Sequence, residues 1–327
     1  MRRRDLLPLA LAMLWEPALD AQAQAKPRIA YLSSADLPIS YFDALLQGLR
    51  ERGFIEGQNL VIERRHAQTP EEFLAAARDL VQLKVDVIVT TGSVPTRAAK
   101  DATAAARSRI PVVFASAGDP VGKGFVASLA RPEGNVTGFA LLEETLPKLM
   151  ELARELVPKA KSVAYMFEEA VVPQARRVRR QQEYRTAAAT LGLEYHELPL
   201  PQQGGLVPAF DQAISRGVGV LLVDDTILTK QHMDQIVTLA AERRLPAIYR
   251  ERPFVAAGGL ASYGEDIHDL FRRSASHVSR LLRGERPENL PVEQPTKFEL
   301  IINLKAAKAL GLDIPSSVFA HADEVIE

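Results

Sequence analysis

The residues best suited to hold a small molecule occur as short polar clusters that each end an apolar run. Ser33 and Ser34 follow RIAYL, Thr91, Gly92 and Ser93 follow DVIVT, and Ser116, Gly118, Asp119 and Pro120 follow PVVFA. Each cluster directly precedes a stretch of helical periodicity, where free backbone N–H groups and hydroxyls can receive a carboxylate or other anion without a Lys or Arg. The same residue types are ordinary helix caps and turn formers, so any single position admits either role. Later in the chain Asp224, Asp225 and Thr226 end VGVLLV. The Asp225 carboxylate could pair with an ammonium, accept from hydroxyls, or cap the helix that follows. Glu168 and Glu169 end an earlier strand candidate and read more simply as a solvated loop. Tyr41, Phe254 and Tyr263 are placed to stack on a bound ring, and each could equally be core.

Catalytic constellations find no support. The six histidines, at 66, 196, 232, 268, 277 and 321, are dispersed and form no HExxH or other metal-ligand spacing. There is no G-x-S-x-G elbow and no cysteine, which removes thiolate sites, disulfides and a lipid-modified cysteine. GDPVGKG (118–124) imitates a phosphate loop, but Ala117 stands where the first Gly is needed and Gly124 where Ser or Thr is needed. No strand-GxGxxG-helix unit is present either, so no cofactor, no metal and no enzyme activity are expected.

The elements that would position these clusters alternate strand and helix. RIAYLSS (28–34), NLVIERRHA (59–67), DVIVTTG (86–92) and PVVFASAGDP (111–120) are strand candidates, with helical stretches at 40–52, 70–83 and 95–107 between them. A second series holds a helix at 144–156, strands at 162–167, 194–200, 218–225 and 246–250, a basic helix at 173–191, and helices at 205–215 and 231–243. This alternation predicts an α/β fold of two Rossmann-like lobes, each a parallel sheet flanked by helices. Lobe one is expected over 26–140 and lobe two over 141–254. The remainder is too short for a third domain, so it should cross back, completing lobe one over about 255–285 and lobe two over about 290–327. Ligands of such sheets bind beyond the carboxyl ends of the strands, and two sheets facing each other make a closable cleft.

The chain has 327 residues, formal net charge -1 and sequence pI about 6.6. That balance gives no basic surface for nucleic-acid phosphates. Arg2, Arg3 and Arg4 precede an apolar run from Leu6 to Trp15, and Ala23-Gln24-Ala25 offers small residues at the positions signal peptidase inspects. Residues 1–25 therefore read as a cleaved export signal, with a loose twin-arginine match at Arg3-Arg4-Asp5-Leu6-Leu7. A periplasmic location follows as an expectation.

Three blocks carry a resemblance: GDPVGKGFVASLARPEGNVTG (118–138), RLPAIYRERPFVAAGGLASYGEDIHDLFRR (244–273) and LPVEQPTKFELIINLKAAKALGLDIPSSVFAHADEVIE (290–327). With the lobe-one loops they resemble the ABC transporter substrate-binding protein family that includes the tryptophan and tyrosine transport-system binding proteins. The resemblance implies a type I periplasmic-binding fold with a three-strand hinge, a small organic solute such as an amino acid or aromatic compound, and an inner-membrane ABC permease as partner. It implies a cleft lined by Ser33, Ser34, Thr91, Gly92, Ser93, Asp119 and Asn135 on one side and Asp225 on the other, with Tyr41, Phe254 and Tyr263 as the aromatics. The chain departs from its relatives at MFEEAVVPQARRVRR, where an Asn-Pro turn is common, and at DDTILT, where an Asp-Pro-like turn is common. A monomer is expected, since one cleft per chain suffices for delivery. A sensing protein that docks on a sensor kinase or chemoreceptor is the alternative.

Overall fold

The computed structural model describes residues 26–34, 38–142, 145–168, 174–201 and 205–327. Two sheets organise the chain. The first contains β1 (Arg28–Ser34), β2 (Val61–Ala67), β3 (Val87–Thr91), β4 (Val112–Gly118) and β5 (Val136–Leu141) in the order β2-β1-β3-β4-β5, all parallel. Their connections include α1 (Ile39–Arg50), α2 (Pro70–Gln82) and α3 (Ser93–Ala105). β1, β3, β4 and β5 are buried along most of their length because both sheet faces are covered, whereas the edge strand β2 alternates. Ile29, Tyr31 and Val89 point into one core layer, Ala30, Leu32 and Ile88 into the other.

The second sheet contains β6 (Ser162–Glu168), β7 (Glu194–Leu200), β8 (Val220–Val223), β9 (Ala247–Tyr249), β10 (Ala261–Glu265), β11 (Phe298–Asn303) and β12 (Glu324–Ile326). Its order is β12-β11-β10-β9-β8-β6-β7, parallel except for the β10–β11 pair. Around it lie α4 (Thr145–Leu156), α5 (Gln174–Thr190), α6 (Leu206–Ser215), α7 (Ile227–Gln231), α8 (Met233–Glu242), α9 (Arg252–Ala256), α11 (Leu304–Leu310) and α12 (Ser316–His321). The helix expected at 231–243 is α8, and a further short helix, α7, directly precedes it and meets it at His232.

The return over about 255–285 divides between the lobes. Residues 252–265 stay with sheet two, where β10 extends beside β9. The following helix, α10 (Ile267–Leu282), leaves for sheet one, and Leu270, Phe271, Ala275 and Val278 join the layer of Tyr31, Leu45 and Leu49. Leu290 and Val292 still pack on lobe one, and Phe139 bridges to Glu293, before β11 re-enters sheet two. The chain thus changes lobes three times: between β5 and α4, between β10 and α10, and between Glu293 and β11.

The contact of α1 with α10 has almost no slack. A Cβ placed on Gly48 would stand 2.1 Å from the Arg272 carbonyl oxygen and 2.8 Å from the Ala275 Cβ. In an exposed helix Gly→Ala would stabilise by about 0.5–1 kcal/mol. Here Gly48→Ala is expected to destabilise by about 1–3 kcal/mol, because α10 must move. The midpoint of denaturant unfolding reads the sign directly.

Candidate functional site

At the carboxyl edge of sheet one, the β1 and β3 ends and the loop after β4 come together. Ser33 is 1% exposed and its Oγ lies 2.9 Å from His66 Nδ1, at the end of β2. Ser34 closes β1 beside it. Gly92 N–H donates to the Ser116 carbonyl at 2.7 Å, and Gly92 O accepts from Thr96 Oγ1 at 2.6 Å, which seats α3 directly behind β3. Thr91 Oγ1 is buried and has no hydrogen-bond partner among the described residues. Thr91 and Ser33 share the sheet face of Val89 and Tyr31, the face covered by α1 and α10.

Asp119 adopts φ 44°, and its Oδ1 accepts from Gly122 N–H at 2.8 Å, so this carboxylate builds the turn after β4. The turn delivers Lys123, whose Nζ donates to Ser93 Oγ at 2.9 Å and to the Gly118 carbonyl at 2.8 Å. Arg97 and Lys100 of α3 reach back to the carbonyls of Lys123 and of Gly124 and Phe125. Anion binding without a cationic side chain was the expectation at this edge. The structure instead brings an ammonium to the first residue of α3. Lys123 escaped the sequence reading because only the fold of the 118–124 turn aims it.

Asn135 does not reach this edge. It precedes β5, aligned with the start of β4, and its Nδ2 donates to Thr103 Oγ1 at 3.1 Å and the Ile110 carbonyl at 2.8 Å. A strand's length, about 20 Å, separates it from the carboxyl ends. Phe254 is also elsewhere: it is 2% exposed, stacked on Tyr249 at 4.8 Å and packed among the α6–α8 side of lobe two. Tyr263 is half-buried on β10, stacked on Phe298 at 5.7 Å.

Lobe two answers with a dense charge cluster. Asp224 and Asp225 end β8, and Arg250 and Glu251 end β9 in the same way. Thr226 caps α7 reciprocally with Thr229, at 3.2 and 2.9 Å, which fixes Lys230 one turn on. Lys230 Nζ lies 2.8 Å from Asp225 Oδ1 and 2.9 Å from Glu251 Oε1. Arg250 spans 3.5 Å to Asp224 and 3.2 Å to Glu265, and also donates to the Leu142 carbonyl and Thr145 Oγ1. Leu142 N–H in turn donates to Glu265 Oε1 at 3.0 Å, so the first crossing is tied to the second.

Tyr41, on α1 of lobe one, meets this cluster. Its ring stacks on Phe271 at 5.3 Å and abuts His268 at 4.9 Å. Burial and the nearby Glu251 charge push its phenol well above the usual range, and Lys230 and Asp225 also act on it. Among the sequence candidates, the Asp225 charge thus acts on the Tyr41 phenol. Lys230, Arg250, Glu251 and Glu265 were missed. The repeated pattern of an apolar strand ending in paired charges, LLVDD and AIYRE, was their available signal.

Burial disfavours ionisation of Asp225, but Lys230 and Arg250 outweigh it and hold this carboxyl below its ordinary range. Burial and the Asp225 charge push the Glu251 carboxyl up to about 7, against the pull of Lys230. Among the described residues no group of three or more His, Cys, Asp or Glu is arranged to hold a metal ion. A carboxyl raised in the folded state binds more protons than the unfolded chain between its two pKa values, so its contribution to stability is lost as pH rises through the folded value. Glu251→Gln removes that loss. The stability of the native protein relative to this variant is expected to fall from about pH 5 to above pH 7, as read by paired unfolding curves.

Comparison with known proteins agrees with this architecture. Residues 34–326 match the family described as ABC transporter substrate binding protein. A tyrosine-binding protein of Clostridioides difficile (strain R20291) is 29% identical over 271 residues, covering 82% of this chain and 75% of the relative. A conserved domain protein from Vibrio cholerae superposes with TM-score 0.81 at 27% identity, over 92% of this chain and 99% of the other. An ABC domain from Streptococcus pneumonia, solved with L-Trp, gives TM-score 0.82 at 23% identity, over 92% and 100% of the two chains. The match to the family spans nearly all of both lobes, and the chain belongs to the ABC transporter substrate-binding proteins.

Proposed function

We propose that this chain is the solute-binding component of an ABC importer and that its solute is a zwitterion of aromatic amino-acid type. The observation that carries the reading is the chemistry of two strand edges. Lobe one offers the α3 N-terminus with Thr91, Gly92, Ser93 and Lys123, suited to a carboxylate. Lobe two offers Asp225 and Glu251, suited to an ammonium. Tyr41, packed against Phe271 and under the influence of the Glu251, Lys230 and Asp225 charges, is the aromatic candidate. A ligand touching both edges makes its full set of contacts only when the lobes are together, and that difference in contacts is what drives closure. The tyrosine-binding relative and the L-Trp complex support the solute class.

In this reading the chain is exported by its N-terminal segment, which lies outside the described residues, and is cleaved after Ala25. It then works in the periplasm as a monomer and delivers to a permease in the inner membrane. No helix among the described residues is long and apolar enough to cross a membrane. The near-zero net charge offers nothing to nucleic acid.

A thermal-unfolding screen of residues 26–327 against amino acids, aromatic acids, nucleosides and sugars tests the reading. A ligand at about 100 times its Kd stabilises the native state by about 2.7 kcal/mol, and aromatic amino acids are expected to be the hits. A response confined to sugars or nucleosides would refute the solute class. Asp225→Ala is expected to weaken the hit by about 10–100-fold, the worth of one charge-assisted hydrogen bond, and unchanged affinity would remove Asp225 from the site.

A further inference from the structure

We propose that the triad Asp225, Glu251 and Lys230 holds in turn a proton or the ammonium group of the solute, so that each capture releases one proton from Glu251. The inference rests on the importer reading above and makes Glu251 the residue that separates an amine-bearing solute from its deaminated analogue. Its basis is a charge balance. One cation, Lys230 Nζ, lies between two carboxylates at 2.8 and 2.9 Å, which leaves the triad one positive charge short. The Asp225 and Glu251 side chains are within hydrogen-bond reach of each other, and only a shared proton can make that contact attractive.

The neighbouring charges cannot fill the gap. Arg250 is already divided between Asp224 and Glu265, and Asp224 also lies against the Tyr165 hydroxyl. From lobe one the Tyr41 phenol feels the triad's charges and is neutral throughout the physiological range, with His268 against its ring. Glu251 itself is 9% exposed, so bulk water offers its ionised form little compensation. Asp225 Oδ1 is buried, with Lys230 Nζ at 2.8 Å as its charged partner. An incoming ammonium supplies the missing charge, Glu251 ionises, and its proton leaves to solvent. A carboxylic acid without the amine supplies nothing, and the proton stays.

Calorimetric titration of the protein with L-tyrosine and L-tryptophan, in buffers of different ionisation enthalpy, measures the protons exchanged. The expected result is release approaching one proton per ligand on the acid side. Affinity should rise about tenfold per pH unit up to about pH 7 and then level off. Glu251→Gln should bind with no proton release and no slope, whereas His268→Gln should keep both. The aryl-propionic acids that lack the amine should bind the native protein more weakly and without proton release. Binding of the amino acids by the native protein that is proton-neutral and flat from about pH 5.5 to 8.5 would overturn the exchange while leaving the importer reading intact. Equal affinity for the deaminated acids would do the same. Failure of every amine-bearing solute to bind would overturn both. The native-protein slope decides the matter even where the Gln variant fails to fold.

Discussion

Arg250 is the group on which the junction of the lobes depends. A guanidinium this deeply placed is tolerable only with its charge matched. The matching partners come from three different parts of the chain: Asp224 at the end of β8, Glu265 at the end of β10, and the Leu142 carbonyl with Thr145 at the first crossing. Removing any one would leave buried charge uncompensated, so their relative positions are fixed together. Glu265 adds the reciprocal tie by accepting from Leu142 N–H. A second set of ions, Arg273 with Asp269 and Glu293, and Lys297 with Asp269, binds the start of α10 to the third crossing. The region that must flex during capture is therefore held by directional polar contacts rather than by apolar packing. Such contacts can be exchanged at little cost in hydrophobic burial.

The electrostatics of the cleft follow from that arrangement. With Arg250 ion-paired at the junction, Lys230 is the cation in direct contact with Asp225 and Glu251. The two carboxyls are driven apart in proton affinity, one held down by its cations and the other pushed up by burial beside a like charge. In lobe one, Lys123 and the start of α3 concentrate positive potential. The two strand edges thus carry opposite signs.

Most of the fold was legible because the inner strands are buried on both faces and so announce themselves as apolar runs, while the edge strands β2 and β7 alternate. EYHELPL matches β7 residue for residue, and RIAYLSS matches β1. β5 escaped because VTGFAL carries Gly138 in its middle, which reads as a turn. The reason for that glycine is tertiary: a Cβ there would stand 2.1 Å from the Phe114 carbonyl oxygen, where β4 and β5 shift register. Site residues were legible only where one local rule placed them. Asp225 is found by its strand end. Asn135 was misplaced because its block was read as a loop without the strand that carries it to the opposite edge. Phe254 was assigned to the cleft by proximity to a crossing, but α9 turns its ring inward onto Tyr249. Lys123 and Lys230 become visible only when separate loops converge.

The interleaving of the two lobes also governs how the chain can be made. The layer of Tyr31, Leu45 and Leu49 is closed by Phe271, Val278 and Leu290, which arrive more than 200 residues after α1. Sheet two likewise waits for β11 and β12 at the very end of the chain. Neither lobe has a finished core while synthesis is in progress, and loop closure over such separations is slow. A nascent chain of this topology can complete neither core until nearly all of it has been made.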